Sequence, residues 1–331
     1  MSRVAAAEFA LREAFLVDPA DASQHIAPFD RQVEIGSKSR ISARLAEPEV
    51  LVPSHRGVDG LRLLISIDGQ SPSLLLKAIH PDQRIFFDAE ASFDAHRKAA
   101  ALGTAPEIVA FDETRAASVS DYLDGWATAR VSDLKSPELL HSVIRAKRKI
   151  HGGPRFKSTW SVFDRIRMLR ARFDPAALDA VGGLRMLLEA AFQIERMIAA
   201  SGVDTVPAHA DGLASNILIG PSGRVQLVDF DEARNVDPYY ELALLANEVF
   251  EEENDYLPAL EMFEGKVRQA SLRRTRLYCI ADDLASALWG LFMDAVSPRK
   301  EVEFYRYACW RLLRCRNALA EIDLHQYARM I

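Results

Sequence analysis

The sequence predicts an α+β protein in two parts, a small antiparallel sheet with one helix followed by a larger, mainly helical region. Three observations predict it. Two β-rich runs, 61–68 and 73–79, are separated by Asp68-Gly69; the pattern turns helical after Gly125; and one isolated hairpin, 216–231, interrupts the helices.

The elements follow in order. Asp-Gly between apolar runs is a hairpin signal, because both residues tolerate the left-handed conformation that tight turns need. A segment from Phe86 to Leu102 spaces its apolar residues on one helical stripe, and two short strands follow at 108–112 and 115–120. Ser136-Pro137 reads as an N-cap with proline at the first helical position, opening a helix to about His151. Further helices are expected near 160–172, 176–200, 239–252, 267–296 and 300–321. Within 216–231, Gly220-Pro221-Ser222-Gly223 separates two short apolar strands. This organisation divides the chain into an extension over 1–50, an N-terminal lobe over 51–122 and a C-terminal lobe over 123–331.

Composition narrows the function. The 331 residues are 49 % hydrophobic and 27 % charged, which excludes a disordered or fibrous chain. A net charge of −6 lacks the basic excess expected of a nucleic-acid partner. No apolar run approaches the ~20 residues of a membrane span, and the first 17 residues carry Glu8, Arg12 and Glu13 where a secretory signal would be apolar. Three cysteines, Cys279, Cys309 and Cys315, lack metal-type spacing and read as small buried apolar residues. A cytoplasmic protein acting on a small molecule is expected, with no membrane or nucleic-acid partner. The sequence does not set its oligomeric state.

The chemistry concentrates in HADGLASNILIGPSGRVQLVDFD, residues 209–231. Closing the hairpin brings its two ends together, so Asp211, Asn216 and Asp229 can converge. Two acids and an amide suit Mg²⁺, a hard cation that takes oxygen ligands. The spacing of Asp211 and Asn216 matches the kinase catalytic loop, in which the Asp takes the proton of the acceptor hydroxyl and the Asn holds metal.

The ordered motifs are more specific. His209, Asp211 and Asn216, followed by the hairpin and Val228-Asp229-Phe230-Asp231, resemble the signature of the aminoglycoside phosphotransferase and choline/ethanolamine kinase-like family. LGTAPEIVAFDE (102–113), YLDGW (122–126), RAKRKIHGGPRF (145–156) and the helix start from Val236 to Ala243 resemble its other segments, so the likeness spans roughly 55–320. It implies a two-lobed protein kinase-like fold with ATP and Mg²⁺ between the lobes. Asp211 would be the catalytic base, and Asn216 and Asp229 would hold the metal. Lys77 would position phosphate with Glu90 as its ion-pair partner, and Gly57 and Gly60 would belong to the nucleotide-covering loop. Independently, a lysine inside the apolar strand LLLKAI is costly to bury without a partner.

Three positions depart from the family pattern: the covering loop is poor in glycine, Ala210 stands between His209 and Asp211, and Glu241 replaces an Asp, for which a helix-start role is expected. His209 is expected to shape the loop by hydrogen bonding, and His151 to pack or cap its helix. Asp231, Asp282 and Trp289 are candidate substrate contacts, Trp289 with Tyr278 as an aromatic wall for a cationic group. The likeness over 86–126 and 136–156 leans towards amino-alcohol kinases, with an aminoglycoside or another hydroxylated metabolite as alternative acceptor. A nucleotide-binding protein without turnover is a rival that the complete set of catalytic residue types disfavours. A metal-dependent hydrolase would carry more histidines near the acids.

Overall fold

Alternation of apolar side chains builds the small lobe. The computed structural model describes residues 2–14, 30–35, 39–46 and 58–329. In it, strands β1 (Asp30–Ile35), β2 (Ser39–Leu45), β3 (Gly60–Ile67), β4 (Leu74–Ile79), β5 (Ile108–Asp112) and β6 (Ala117–Asp121) form one antiparallel sheet in the order β1-β2-β3-β4-β6-β5. Leu63 and Ile65 of β3 and Leu74, Leu76 and Ala78 of β4 point to one face, where helix α1 (Arg3–Ala14) covers them with Ala6, Ala7, Ala10 and Leu11. The period of two therefore sends Arg62 and Lys77 to the opposite face. Asp68 and Gly69 take φ of 52° and 74°, the paired left-handed turn expected of Asp-Gly.

The expected extension over 1–50 does not stand apart. Its described parts supply two strands of the sheet and the helix that covers it, because a sheet begun at β3 would leave both an unpaired edge and an apolar face in water.

Helix α2 (Ala89–Ala101), capped by the Asp88 carboxylate at Ala91 N (3.0 Å), lies between the sheet and the larger lobe, whose core it enters through Ala95 and Ala99. The larger lobe contains α3 (Pro137–His151), α4 (Val162–Arg170), α5 (Pro175–Ala180), α6 (Leu184–Ala200), α7 (Pro238–Val249), α8 (Leu257–Glu264), α9 (Gln269–Val296), α10 (Phe304–Ala320) and α11 (Leu324–Ala328). Ser136 caps α3 ahead of Pro137 as the sequence predicts. The single helix expected over 176–200 is instead two, broken at Gly182-Gly183, where Gly183 takes φ of 77°. The predicted hairpin, β9 (Ile217–Ile219) and β10 (Val225–Leu227), gains a third strand, β7 (Ala127–Thr128), and a two-stranded pair, β8 (Val206–Ala208) with β11 (Arg234–Val236), flanks it. Cys279 and Cys315 are buried as expected, whereas Cys309 is exposed. Among the described residues no helix is long and apolar enough to cross a membrane.

The loop after β4 joins the lobes. Asp82 accepts hydrogen bonds from Ser297 Oγ (2.7 Å) and from Arg299 Nε and Nη2 (3.0 and 3.1 Å), with both charged side chains buried. Phe86 meets Phe292 edge-on beside this clamp. Removing one partner of a buried pair strands the other, at a cost of about 3–5 kcal/mol. Asp82→Ala is therefore expected to lower the unfolding free energy by that amount in urea titrations; a loss below about 1 kcal/mol would contradict the clamp's role.

Candidate active site

From β8 the chain enters His209-Ala210-Asp211-Gly212. Ala210 sits in the left-handed region at φ 56°, and Gly212 is required by packing, since a Cβ there would lie 2.1 Å from the Leu244 carbonyl oxygen of α7. Asp211 Oδ1 accepts from Leu213 N (2.7 Å) and Oδ2 from Asn216 Nδ2 (2.9 Å). Burial, reinforced by the charge of Asp229, pushes the Asp211 carboxyl up to about 7, into the range that suits a general base near neutrality. The two ring nitrogens of His209 lie 3.2 Å from the Asp211 carbonyl and 2.9 Å from that of Val228, tying the loop to the segment that carries Asp229.

Glu241, expected to be a helix-start residue, is 0 % exposed and holds this loop. It accepts from Ala210 N (3.1 Å), Lys147 Nζ (3.0 Å) and His151 Nε2, and Lys147 also donates to the Asp211 carbonyl (2.7 Å). His151 is thus a hydrogen-bond partner of Glu241 as well as a helix end.

The second carboxylate group follows β10. Phe230 is buried between His96 of α2, stacked at 4.9 Å, and His209, edge-on at 4.7 Å, and this fixes the acids on either side of it. Asp229 adopts φ of 68°. Lys77 Nζ donates to Asp229 (2.7 Å), Asp231 (2.7 Å) and Asp59 (3.0 Å). Burial opposes the ammonium charge, but the three carboxylates outweigh it and raise the Lys77 pKa. Arg62 donates to Asp229 (2.8 Å) and lies 3.4 Å from Asp59. Oxygens of Asp59, Asp229 and Asp231 lie within 4.8 Å of one another, a hard-oxygen donor set of the kind Mg²⁺ takes.

The structure thus brings together Lys77, Asp211, Asn216, Asp229 and Asp231, and separates others. Glu90 does not pair with Lys77. It is 64 % exposed and pairs with Lys157, because it sits in the first turn of α2 on the solvent side; Ser92, two residues on, reaches Asp231 instead (3.3 Å). Gly60 begins β3, where a Cβ would stand 2.7 Å from the Ala78 carbonyl oxygen, so close strand packing accounts for it. Gly57 lies outside the described residues. Asp282 is no substrate contact: it is buried against Arg311 (2.5 Å) and Asn247 (3.3 Å), away from the cleft. Tyr278 likewise turns away to Asp237 (2.8 Å). Trp289 does line the cleft, while Asp231 stands on its lysine side.

The cleft between the lobes is open to solvent and is lined by Asp211, Asn216, Asp229 and Asp231 together with Gln83, Phe86, Phe87 and Trp289. Asp59, Arg62, Gln83, Phe86, Phe87 and the pair Arg165–Glu232 (3.1 Å) are site residues beyond the sequence reading. Arg62 carries a legible signal, a cation within the apolar run LRLLISI, the same signal that singles out Lys77.

A two-lobed fold with an Asp–Asn loop and a lysine-held Asp-x-Asp in its cleft defines a phosphotransferase of kinase type. Residues 52–278 match the model of the phosphotransferase enzyme family (APH), and the chain belongs to that family. It is a phosphotransferase with an alcohol group as acceptor and has the protein kinase-like fold. Among solved structures it is similar to a choline/ethanolamine kinase family protein from Mesorhizobium loti (TM-score 0.70, 23 % identity, 83 % of this chain and 90 % of that one). It is also similar to the choline kinase LicA from Streptococcus pneumoniae (0.69, 18 %, 79 % and 90 %) and to aminoglycoside 2′-phosphotransferase-IIIa in its GDP complex (0.58, 14 %, 84 % and 93 %). No curated protein sequence matches the chain significantly.

Two measurements check this geometry. An exposed ion pair contributes about 0–1 kcal/mol, so Glu90→Gln should leave kcat/KM within about threefold; a loss of a hundredfold would restore the Lys77–Glu90 pairing. Burial pushes the His209 imidazole down to about 4, so the native ring stays neutral while the unfolded one takes up a proton below its ordinary value near 6.5. Stability should therefore fall as pH drops from about 6.5 towards about 4, and His209→Gln should lose less of it than the wild type between pH 7 and 5. Equal losses in urea midpoints would refute a neutral buried His209.

Proposed function

We propose that the protein transfers the γ-phosphoryl group of ATP to the hydroxyl of a small amino alcohol of the choline or ethanolamine kind. The observation that carries the reading is one cleft lined together by Asp211, a raised-pKa carboxylate, by Asp229 and Asp231, which Lys77 bridges, and by the aromatic residues Phe86, Phe87 and Trp289. In this reading the nucleotide binds between a lobe ending near residue 122 and the helical lobe over 123–331.

Asp211 orients the acceptor hydroxyl and takes its proton as the new O–P bond forms and the bond to the leaving ADP oxygen breaks. Asn216 keeps the Asp211 carboxylate aimed through its amide, and with Asp229 and Asp231 it would hold Mg²⁺. When bound, that ion neutralises phosphate charge. Lys77 adds a fixed positive charge in a cleft walled by protein, where electrostatic stabilisation exceeds its value in water. Catalysis of this kind is mostly positioning.

For the acceptor, Trp289 and the Glu232 carboxylate offer an aromatic face and a negative charge, the combination that attracts an ammonium group. Choline and ethanolamine kinases among the similar structures support the same class. One observation favours a second reading: Arg165 stands in the cleft beside Glu232, and such a pair suits a polyhydroxylated acceptor, an aminoglycoside or another metabolite, as a two-sided hydrogen-bonding partner.

The test is ADP release from Mg-ATP across choline, ethanolamine, several aminoglycosides and sugar alcohols. One amino alcohol should give a strong signal, and Asp211→Asn should lower kcat by at least ~10² with ATP binding nearly intact. Unchanged turnover in that variant would remove Asp211 as base. Trp289→Ala should raise KM for the acceptor about tenfold with little change in KM for ATP, the loss expected of a desolvated cation–π contact. A response confined to polyols or aminoglycosides would favour the Arg165–Glu232 reading.

A further inference from the structure

We infer that Arg62 is a second phosphate-binding cation, which acts beside Lys77 and supplies charge that the glycine-poor covering loop does not. The inference rests on the nucleotide site proposed above.

Register is the first observation. Arg62 on β3 lies directly opposite Lys77 on β4, and both leave the sheet on the cleft side because the α1 side is taken by Leu63, Leu74 and Leu76. Two like charges facing each other across neighbouring strands repel, so such a pair persists where anions lie between and above them. Asp59, Asp229 and Asp231 supply three carboxylates to these two cations.

The second observation is an unfinished hydrogen-bond set. Arg62 Nη2 is engaged with Asp229 and Asp59, but its Nη1 is buried without a hydrogen-bond partner, on a side chain that lines the cleft. A guanidinium carries five donors in a planar fork, and leaving one buried and unmet costs free energy. An oxygen of a polyphosphate entering between the lobes would meet that donor and the neighbouring positive charge together, the bidentate arrangement in which arginine surpasses lysine.

Local chemistry explains why a second cation is needed. The segment before β3 offers Asp59 where a phosphate-covering loop would offer bare backbone amides, and its carboxylate points at Lys77 (3.0 Å). An acid there repels phosphate, and Arg62 offsets it. Were Asp229 and Asp231 to hold a divalent ion, Lys77 and Arg62 would each lose carboxylate partners, and phosphate oxygens would be suited to replace them. The opposite role, in which Arg62 merely holds Asp229, predicts the opposite sign: its removal would free Asp229 and tighten Mg-nucleotide binding.

Calorimetric titration of the full chain with Mg-ADP and with adenosine separates the two. Arg62→Met, close in shape and uncharged, should weaken Mg-ADP at least tenfold and leave adenosine affinity within about twofold, while Arg62→Lys, which restores the charge without the planar fork, should recover only part of the loss. Arg62→Gln, which keeps a donor towards Asp229, should behave as the Met variant and is the substitute should that variant fold poorly, intact adenosine binding reporting the fold. Mg-ADP affinity that is unchanged or increased in either neutral variant overturns the assignment. A wild-type chain that binds no Mg-ADP would instead remove the proposed nucleotide site, and the role of Arg62 with it.

Discussion

A single buried carboxylate holds the loop of Asp211 in place. Glu241 has no contact with water and would be costly to ionise there alone. Burial pushes its pKa up, and Lys147 and His151 more than reverse this, holding it well below the ordinary carboxylate range. Its remaining capacity goes to the amide of Ala210, a residue in the left-handed region. The loop's strained backbone is thus stabilised by a charge on α7, and Lys147 carries the same constraint to the Asp211 carbonyl. Asp211 owes its position to these contacts. Its raised pKa arises separately, from burial and from Asp229.

The cleft is built on charge balance in the same way. Lys77 and Arg62 enter from the sheet, Asp229 and Asp231 from the segment after β10, and neither set could be buried without the other. The sheet face opposite α1 therefore carries both cations, and the two lobes are held together at the place where a nucleotide would lie. Phe230, between His96 and His209, fixes the acids by packing and leaves their oxygens to the cations.

Much of this was legible because the determining signals were local. Asp68-Gly69, Ser136-Pro137 and Gly220-Pro221-Ser222-Gly223 each specify their turn or cap within a few residues, and the structure forms all three. Asp211, Asn216 and Asp229 were legible because the hairpin that joins them is short. Glu90 failed for the converse reason: which residue of α2 meets the sheet depends on the helix's rotation about its axis. That is set by Ala95, Ala99 and His96 against the larger lobe, a long-range matter invisible in a 13-residue segment. Asp282 failed because its partner Arg311 is 29 residues away on another helix. The strands over 30–45 carry charged residues on short runs, so pattern alone did not mark them as part of the sheet.

The inter-lobe contacts divide into two kinds. Asp82 with Ser297 and Arg299 is a buried clamp on the side of Phe86 and Phe292, and it uses none of the charged residues around Lys77. Lys77 and Arg62 with Asp229 and Asp231 form the other, made of groups that in the proposed reaction would also serve metal and phosphate. The separation matters mechanically. If the lobes were held only by the second set, each exchange of carboxylate for phosphate would loosen the cleft as it was being used. With the first set fixed, the charges around Lys77 could change partners in the proposed reaction while the loop that carries Phe86 stays held to the larger lobe.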